Sequence, residues 1–180
     1  MKKLLSLIVA LFAVLPASAY SFYLDGIYYY TLSDNTVAVT YKNYYNNSYS
    51  GNIAIPETVT YNGVIYSVTE IGTYAFRDCS GLTKVEISDI AAWCGIDFYA
   101  STANPLYYAH HLYLNGDEVT DLVIPNSVTS LGSSCFYGCS GLTSVSIPKS
   151  VTKIGEDCFN GCSGLTSVSI PNSVTSIGDH

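Results

Sequence analysis

Hydrophobic positions in the second half of the chain recur with a fixed period. Residues 124–146 (I-P-N-S-V-T-S-L-G-S-S-C-F-Y-G-C-S-G-L-T-S-V-S) return as residues 147–169 with 17 of 23 identical, and a third copy opens at Ile170-Pro171. Within one copy the apolar positions are Leu142, Val145, Ile147, Val151, Ile154, Cys158, Phe159 and Cys162, spaced 3, 2, 4, 3, 4, 1 and 3. Neither a helical nor a strand period fits the whole unit. The spacing predicts a short strand at Val145-x-Ile147 ended by Pro148, and a second from Val151 to Ile154 closed by Gly155. It also predicts a single helical turn from Cys158-Phe159 to Cys162. One such unit cannot bury its apolar side alone, so the copies must stack as a solenoid, with strands about 4.8 Å apart from rung to rung. Five of the six differences between the copies exchange polar or aromatic side chains, and the sixth, Leu131 against Ile154, keeps an apolar one.

The pattern I-P-x-S-V-T-x-[IL]-G-x-x-C-F-x-G-C-S-G-L-T-S-V-S closely resembles the BspA-type leucine-rich repeat of bacterial surface proteins. The likeness covers residues 68–87 with some divergence (V-T-E-I-G-T-Y-A-F-R-D-C-S-G-L-T-K-V-E-I) and residues 124 to the end. It implies an α/β leucine-rich-repeat solenoid, right-handed, curved and strand-dominated, with a role in surface adhesion or host-protein binding and no catalytic residue.

Residues 20–66 hold 11 of the 17 tyrosines and lack the motif. Turn signals at Ser33-Asp34-Asn35 and at Asn62-Gly63 predict strand pairs there, read as a β-rich N-terminal cap over the first rung. Its tyrosines pack one ring face and keep the hydroxyl wet. The functional alternative is an aromatic platform for sugar rings, with Tyr28, Tyr30, Tyr44, Tyr45 and Tyr49 as candidates.

The 37 residues from Ile87 to Ile124 exceed one period by 14, so one turn is expanded at residues 88–123. Ser88-Asp89 caps a predicted helix over 90–94, Asn104-Pro105 marks a turn, and Leu112-Tyr113-Leu114 pairs across Asn115-Gly116 with a strand near Val119. The expansion carries the only tryptophan, Trp93, a candidate recognition residue whose structural alternative is packing against the next rung. The chain stops at His180 midway through the pattern, which predicts a fragment of a longer protein with apolar exposure at its last rung.

Lys2 and Lys3 precede an apolar run over 4–15, then Pro16 and Ala17-Ser18-Ala19, the pattern of a secretory signal peptide over residues 1–19. The run is too short for a spanning helix and no second apolar segment follows, so export to the exterior or the cell surface is expected. Without that leader, 5 basic residues stand against 14 acidic ones, a net charge of −9. That charge disfavours nucleic acid and anionic membrane surfaces as partners.

No G-x-S-x-G elbow, H-E-x-x-H helix, P-loop or G-x-G-x-x-G fingerprint is present, and the carboxylates are scattered. Neither catalysis nor a cofactor is expected. Cys135, Cys139, Cys158 and Cys162 form C-x3-C-x18-C-x3-C, wider than usual zinc spacing and already explained by the repeat. Buried free thiols are favoured over bonds between rungs, Cys139 to Cys162 or Cys135 to Cys158. His110 and His111, with Asp117 or Glu118, make a weak metal candidate because adjacent strand residues face opposite sides.

What remains is binding. Thr143, Ser144, Ser146, Thr166, Ser167 and Ser169 supply a regular hydroxyl-bearing strand face, and with Trp93 they are the candidate ligand-binding residues. The expected partner is an extracellular-matrix or host surface protein. A glycan held by the cap tyrosines and a purely structural spacer are the alternatives.

Overall fold

The computed structural model describes residues 20–43 and 49–179. The leader therefore lies outside the described residues, as do Tyr44 and Tyr45. The chain opens with β1 (Phe22–Leu24), β2 (Ile27–Thr31) and β3 (Thr36–Thr40), an antiparallel meander. Next come β4 (Gly51–Ile55), β5 (Thr58–Tyr61) and β6 (Val64–Ile71). The β5–β6 hairpin turns at Asn62-Gly63, where both residues have positive φ, 51° and 79°, as a two-residue hairpin with right-handed strand twist requires. Asp25-Gly26 makes the same turn between β1 and β2, a signal the sequence reading passed over.

From β3 onward the chain climbs. β3 pairs in parallel with β6, and β4 in parallel with β7 (Leu82–Ile87), so two parallel ladders begin inside the tyrosine-rich segment. Val37 and Val39 lie under Val68 and Ile71 in the first ladder, and Ile53 and Ile55 under Val85 and Ile87 in the second. All eight are buried. Only I-P-E-T-V-T at residues 55–60 echoes the motif there, yet the stacking starts in this segment, because apolar alternation seats one rung on the next. Tyr49, with its ring centroid 5.0 Å from that of Phe76, stands in Tyr49-Ser50-Gly51 where the repeat has Cys-Ser-Gly, and fills the core there with a larger side chain.

The expanded rung contains α1 (Ile90–Cys94), β8 (Asp97–Phe98), a 3-10 turn at Ser101–Ala103, α2 (Leu106–Ala109), β9 (Leu112–Leu114) and β10 (Asp117–Glu118). Asp89 caps α1 as the sequence predicts, its Oδ1 accepting from the Ala92 amide at 2.6 Å. β8 continues the first ladder beside β6, β9 continues the second beside β7, and β10 folds back antiparallel on β9. The extra residues thus form a hairpin at the edge. The second ladder then restarts as β11 (Asp121–Val123), paired not with β9 but with a strand of the next rung.

The remaining rungs are regular. β12 (Ser130–Leu131), β14 (Lys153–Ile154) and β15 (Ser176–Ile177) form the first ladder, and β13 (Ser144–Ser146) lies between β11 and a parallel bridge at Ser169. The result is a strand-dominated solenoid of about five turns with few helices. Val68, Val128 and Val151 repeat one buried position, and Leu82, Leu142 and Cys139 belong to the same continuous core.

The predicted helical turn after each Gly is not a helix. Cys139 and Cys162 do donate backwards over three residues, to Phe136 and Phe159, at 3.1 Å each. But the amides of Ser134, Phe136 and Gly138 donate to the carbonyls of Glu156, Cys158 and Asn160 in the next rung, at 2.8, 2.9 and 2.7 Å. Alternate amides point along the solenoid axis, so no run of helical bonds forms and the segment is a series of tight turns.

Candidate binding surface

Alternation in β13 buries Val145 and turns Ser144 and Ser146 outward, opposite Asp121 and Val123 of β11. Ser146 in turn faces Ser169 of the following rung. Thr143, Thr166 and Ser167 are exposed beside them, so all six hydroxyl candidates lie at the surface. Two are committed to holding rungs together. Thr143 donates both its amide (2.7 Å) and its hydroxyl (3.1 Å) to the Thr120 carbonyl, and the Ser144 hydroxyl lies 2.6 Å from Asp121 Oδ1. The first ladder repeats the device: Thr152 and Thr175 each donate amide and hydroxyl to the threonine carbonyl one rung below, Thr129 and Thr152. The sequence signal for it is the V-T step repeated at Thr129, Thr152 and Thr175.

Trp93 is not a recognition residue. The inward face of α1 leaves it 1% exposed, with Nε1–H donating to the Cys135 carbonyl at 3.0 Å and its ring edge-on to Phe98 at 5.2 Å. Asn104 joins the same contact. It is wholly buried, its Nδ2 donates to the Ser134 and Cys135 carbonyls at 2.7 and 3.1 Å, and its Oδ1 accepts from the Leu106 amide at 2.9 Å. These two side chains weld the expanded rung to the regular one, a role that a turn signal at Asn104-Pro105 does not reveal.

The N-terminal tyrosines mostly pack on one another. Tyr49, proposed for a sugar platform, is buried; its hydroxyl donates to the Thr40 carbonyl at 2.7 Å and accepts from the Tyr28 amide at 3.0 Å. Burial raises its pKa well above the usual phenol range. The half-buried ring of Tyr28 lies 4.7 and 4.6 Å from those of Tyr20 and Tyr23. Tyr30 is half-buried. Tyr28 and Tyr49 therefore close a small aromatic core instead of an open platform.

The two histidines diverge as adjacent residues should. His111 Nδ1 is 2.6 Å from Glu118 Oε1 across the β9–β10 hairpin, while His110 Nδ1 is 2.9 Å from the Gly138 carbonyl. Among the described residues no group of three or more His, Cys, Asp or Glu gathers as a metal site. All six cysteines are buried free thiols. Burial pushes Cys79 and Cys162 up to about 11 and Cys139 up to about 12, and raises Cys135 and Cys158 as well.

Where the second ladder divides, a cleft of about 430 Å³ opens between β10 and β11. Ile90, Leu114 and Leu122 form its apolar side, and Asp117, Glu118 and Asp121 its acidic rim. A second, open cleft of about 560 Å³ crosses three rungs at Tyr107, Tyr137 and Gly161. At the last described rung Val168, Ile170 and Ile177 are 37%, 46% and 56% exposed.

The BspA-type leucine-rich repeat region matches the chain in six copies, over residues 64–103 and 109–180, more than half its length. The chain belongs to the BspA-type leucine-rich repeat family. The BspA-type pattern runs through most of the expanded rung, which the sequence reading had left outside it. No curated protein matches. Among solved structures, the chain is similar to a T. pallidum leucine-rich repeat protein at 18% identity and a TM-score of 0.53, covering 86% of this chain and 79% of that one. That likeness supports the solenoid fold. A leucine-rich cell surface protein from Faecalibacterium prausnitzii matches at 26% identity and a TM-score of 0.45, over 87% of this chain and 50% of its own. A Bacteroides ovatus leucine-rich repeat protein matches at 22% identity and a TM-score of 0.41, over 89% and 50%. The chain spans about half the length of these last two.

Proposed function

We propose that this BspA-type module is exported and displayed at the cell surface, where it binds an extracellular-matrix or host surface protein without a cofactor. The observation that carries the reading is the outward face of β11, β13 and the strand position at Ser169. Val123, 66% exposed, Ser146 and Ser169 follow one another from rung to rung, with Asp121 and Ser144 in the adjacent row. Every side chain there is short, and Thr143 and Ser144 are pinned by their rung-to-rung bonds. Such a surface loses little side-chain entropy when a flat partner covers it, and each added rung extends the contact. Its small, mainly neutral groups suit recognition by shape, with Val123 as an apolar anchor.

Deleting residues 147–169, one whole copy, tests the reading against the spacer alternative. Neighbouring copies share the stacking contacts, so the shortened solenoid keeps its joints. A binder loses affinity for its immobilised protein partner by a step of about tenfold or more, whereas a spacer binds nothing before or after the deletion.

A further inference from the structure

The open cleft at Tyr107 and Tyr137 lies away from the strand face and is formed by the turn segments of three successive rungs. The two tyrosine rings are stacked, with centroids 5.4 Å apart and planes within 20°. The stack ends there. One period on, the position of Tyr137 is taken by Asn160, whose amide is tied to Asp157 Oδ1 at 2.6 Å.

The floor beneath is bare for a structural reason. Gly138 and Gly161 both have positive φ, 73° and 76°. A Cβ on Gly161 would lie 3.2 Å from Gly138 Cα, and one on Gly138 would lie 3.2 Å from the Leu106 carbonyl oxygen. Backbone packs on backbone there, and at positive φ a side chain at either glycine is strained, so the floor carries none.

Its polar groups are of mixed sense. The Gly138 carbonyl can only accept, so His110 donates to it through Nδ1–H, and its Nε2 is left to face a ligand. Ser140 and Ser163 add hydroxyls that donate or accept. No Asp, Glu, Lys or Arg lines the cleft, although the chain as a whole carries a net charge of −7.

We infer that this cleft is a binding site for a neutral oligosaccharide, one sugar ring lying on Tyr137 and its neighbours running across the Gly138–Gly161 floor. A ring face needs a flat apolar wall, which the tyrosine stack supplies. Sugar hydroxyls need both donors and acceptors, which His110, Ser140 and Ser163 supply. A volume of about 560 Å³ suits a ligand of two or three rings. This site is independent of the proposed protein-binding face, involving neither β11 nor β13.

The test is titration of the labelled chain with maltotriose, cellotriose and tri-N-acetylchitotriose at millimolar concentrations, reading the ring resonances of Tyr107, Tyr137 and His110. At least one sugar is expected to give saturable shifts confined to these rings. Tyr137→Ala should weaken it about tenfold, about 1.4 kcal/mol, while Tyr137→Phe stays within about threefold. Ser163→Trp, at an exposed position, should block the cleft without touching the stack, so the assignment does not hang on the folding of Tyr137→Ala. No saturable shift with any of the three sugars overturns the proposal, as does binding that survives both Tyr137→Ala and Ser163→Trp. Preference for a sialylated trisaccharide, or for a proline-rich peptide as the other ligand that lies on paired tyrosines, overturns it too. Failure here leaves the effect of deleting residues 147–169 on protein binding unchanged.

Discussion

Gly132 and Gly155 occupy the same place in successive copies, yet alanine should be accepted at one and rejected at the other. A Cβ at Gly132 would meet only the Ile96 carbonyl oxygen, at 3.5 Å, and the Cys94 carbonyl oxygen, at 3.9 Å. At Gly155 it would run into the rung below, 2.6 Å from the carbonyl carbon of Gly132, 2.8 Å from Ser133 Cα and closer still to the Ser133 amide nitrogen. Those atoms are backbone and cannot rotate away. Reaching even 3.0 Å requires the rungs to separate by several tenths of an ångström, against the Gly155 amide bond to the Leu131 carbonyl at 2.9 Å. Overpacking of this kind costs about 1–3 kcal/mol, and weakening one rung-to-rung bond adds about 1 kcal/mol. Neither glycine has positive φ, so alanine also recovers about 0.5 kcal/mol from the unfolded chain at both sites. Gly155→Ala should therefore destabilise by about 2–3 kcal/mol, and Gly132→Ala should be neutral or slightly stabilising. Urea unfolding followed by circular dichroism reads the difference as a midpoint lower by about 1 M for Gly155→Ala. Equal midpoints for the two variants would refute the rung spacing on which the argument rests.

Four further outcomes follow. Asn104→Ala strips partners from the Ser134 carbonyl and the Leu106 amide and should cost about 2–4 kcal/mol, measured by the same unfolding curves. Trp93→Phe should cost only about 1–2 kcal/mol, because the Cys135 carbonyl keeps the Asn104 amide, and it should leave ligand binding unchanged when assayed on the same surface. The thiols Cys79, Cys139 and Cys162 ionise in the folded chain only near 11 to 12, against about 9 when unfolded. Above about pH 9 the unfolded chain sheds these protons first, so stability is intact below that value and falls as pH rises towards 12. Native thiol labelling at pH 8 should be silent, while denaturant exposes six thiols.

The periodic half of the molecule is legible because its copies share letters as well as burial, and Asp89 betrays α1 because a carboxylate before an apolar run is a cap. The four-residue step from Cys158 to Cys162 misleads: it mimics a helical turn, but only the neighbouring rung decides that alternate amides bond along the axis. The first rung is hidden for a different reason. Val37, Val39 and Ile53 share burial with the later copies, but only I-P-E-T-V-T at residues 55–60 keeps some of their letters, and Tyr49 stands where the repeat has cysteine. Trp93 and Asn104 carry their meaning in contacts to Ser134 and Cys135, tens of residues away. The tyrosine cleft escapes the period altogether, since Tyr107 and Tyr137 stand 30 residues apart across an expanded rung instead of 23.

The most direct test of the proposed role is label-free binding of the chain to an immobilised panel of extracellular-matrix proteins, comparing wild type with two double variants. Ser146→Lys with Ser169→Lys places long charged side chains on the outward face of the second ladder, while Lys153→Ser with Ser176→Lys alters exposed positions on the first ladder. The account predicts saturable wild-type binding that the first pair abolishes or weakens at least tenfold and the second leaves within about twofold. Saturable binding that survives lysines at 146 and 169, or no binding to any protein on the panel, would contradict it.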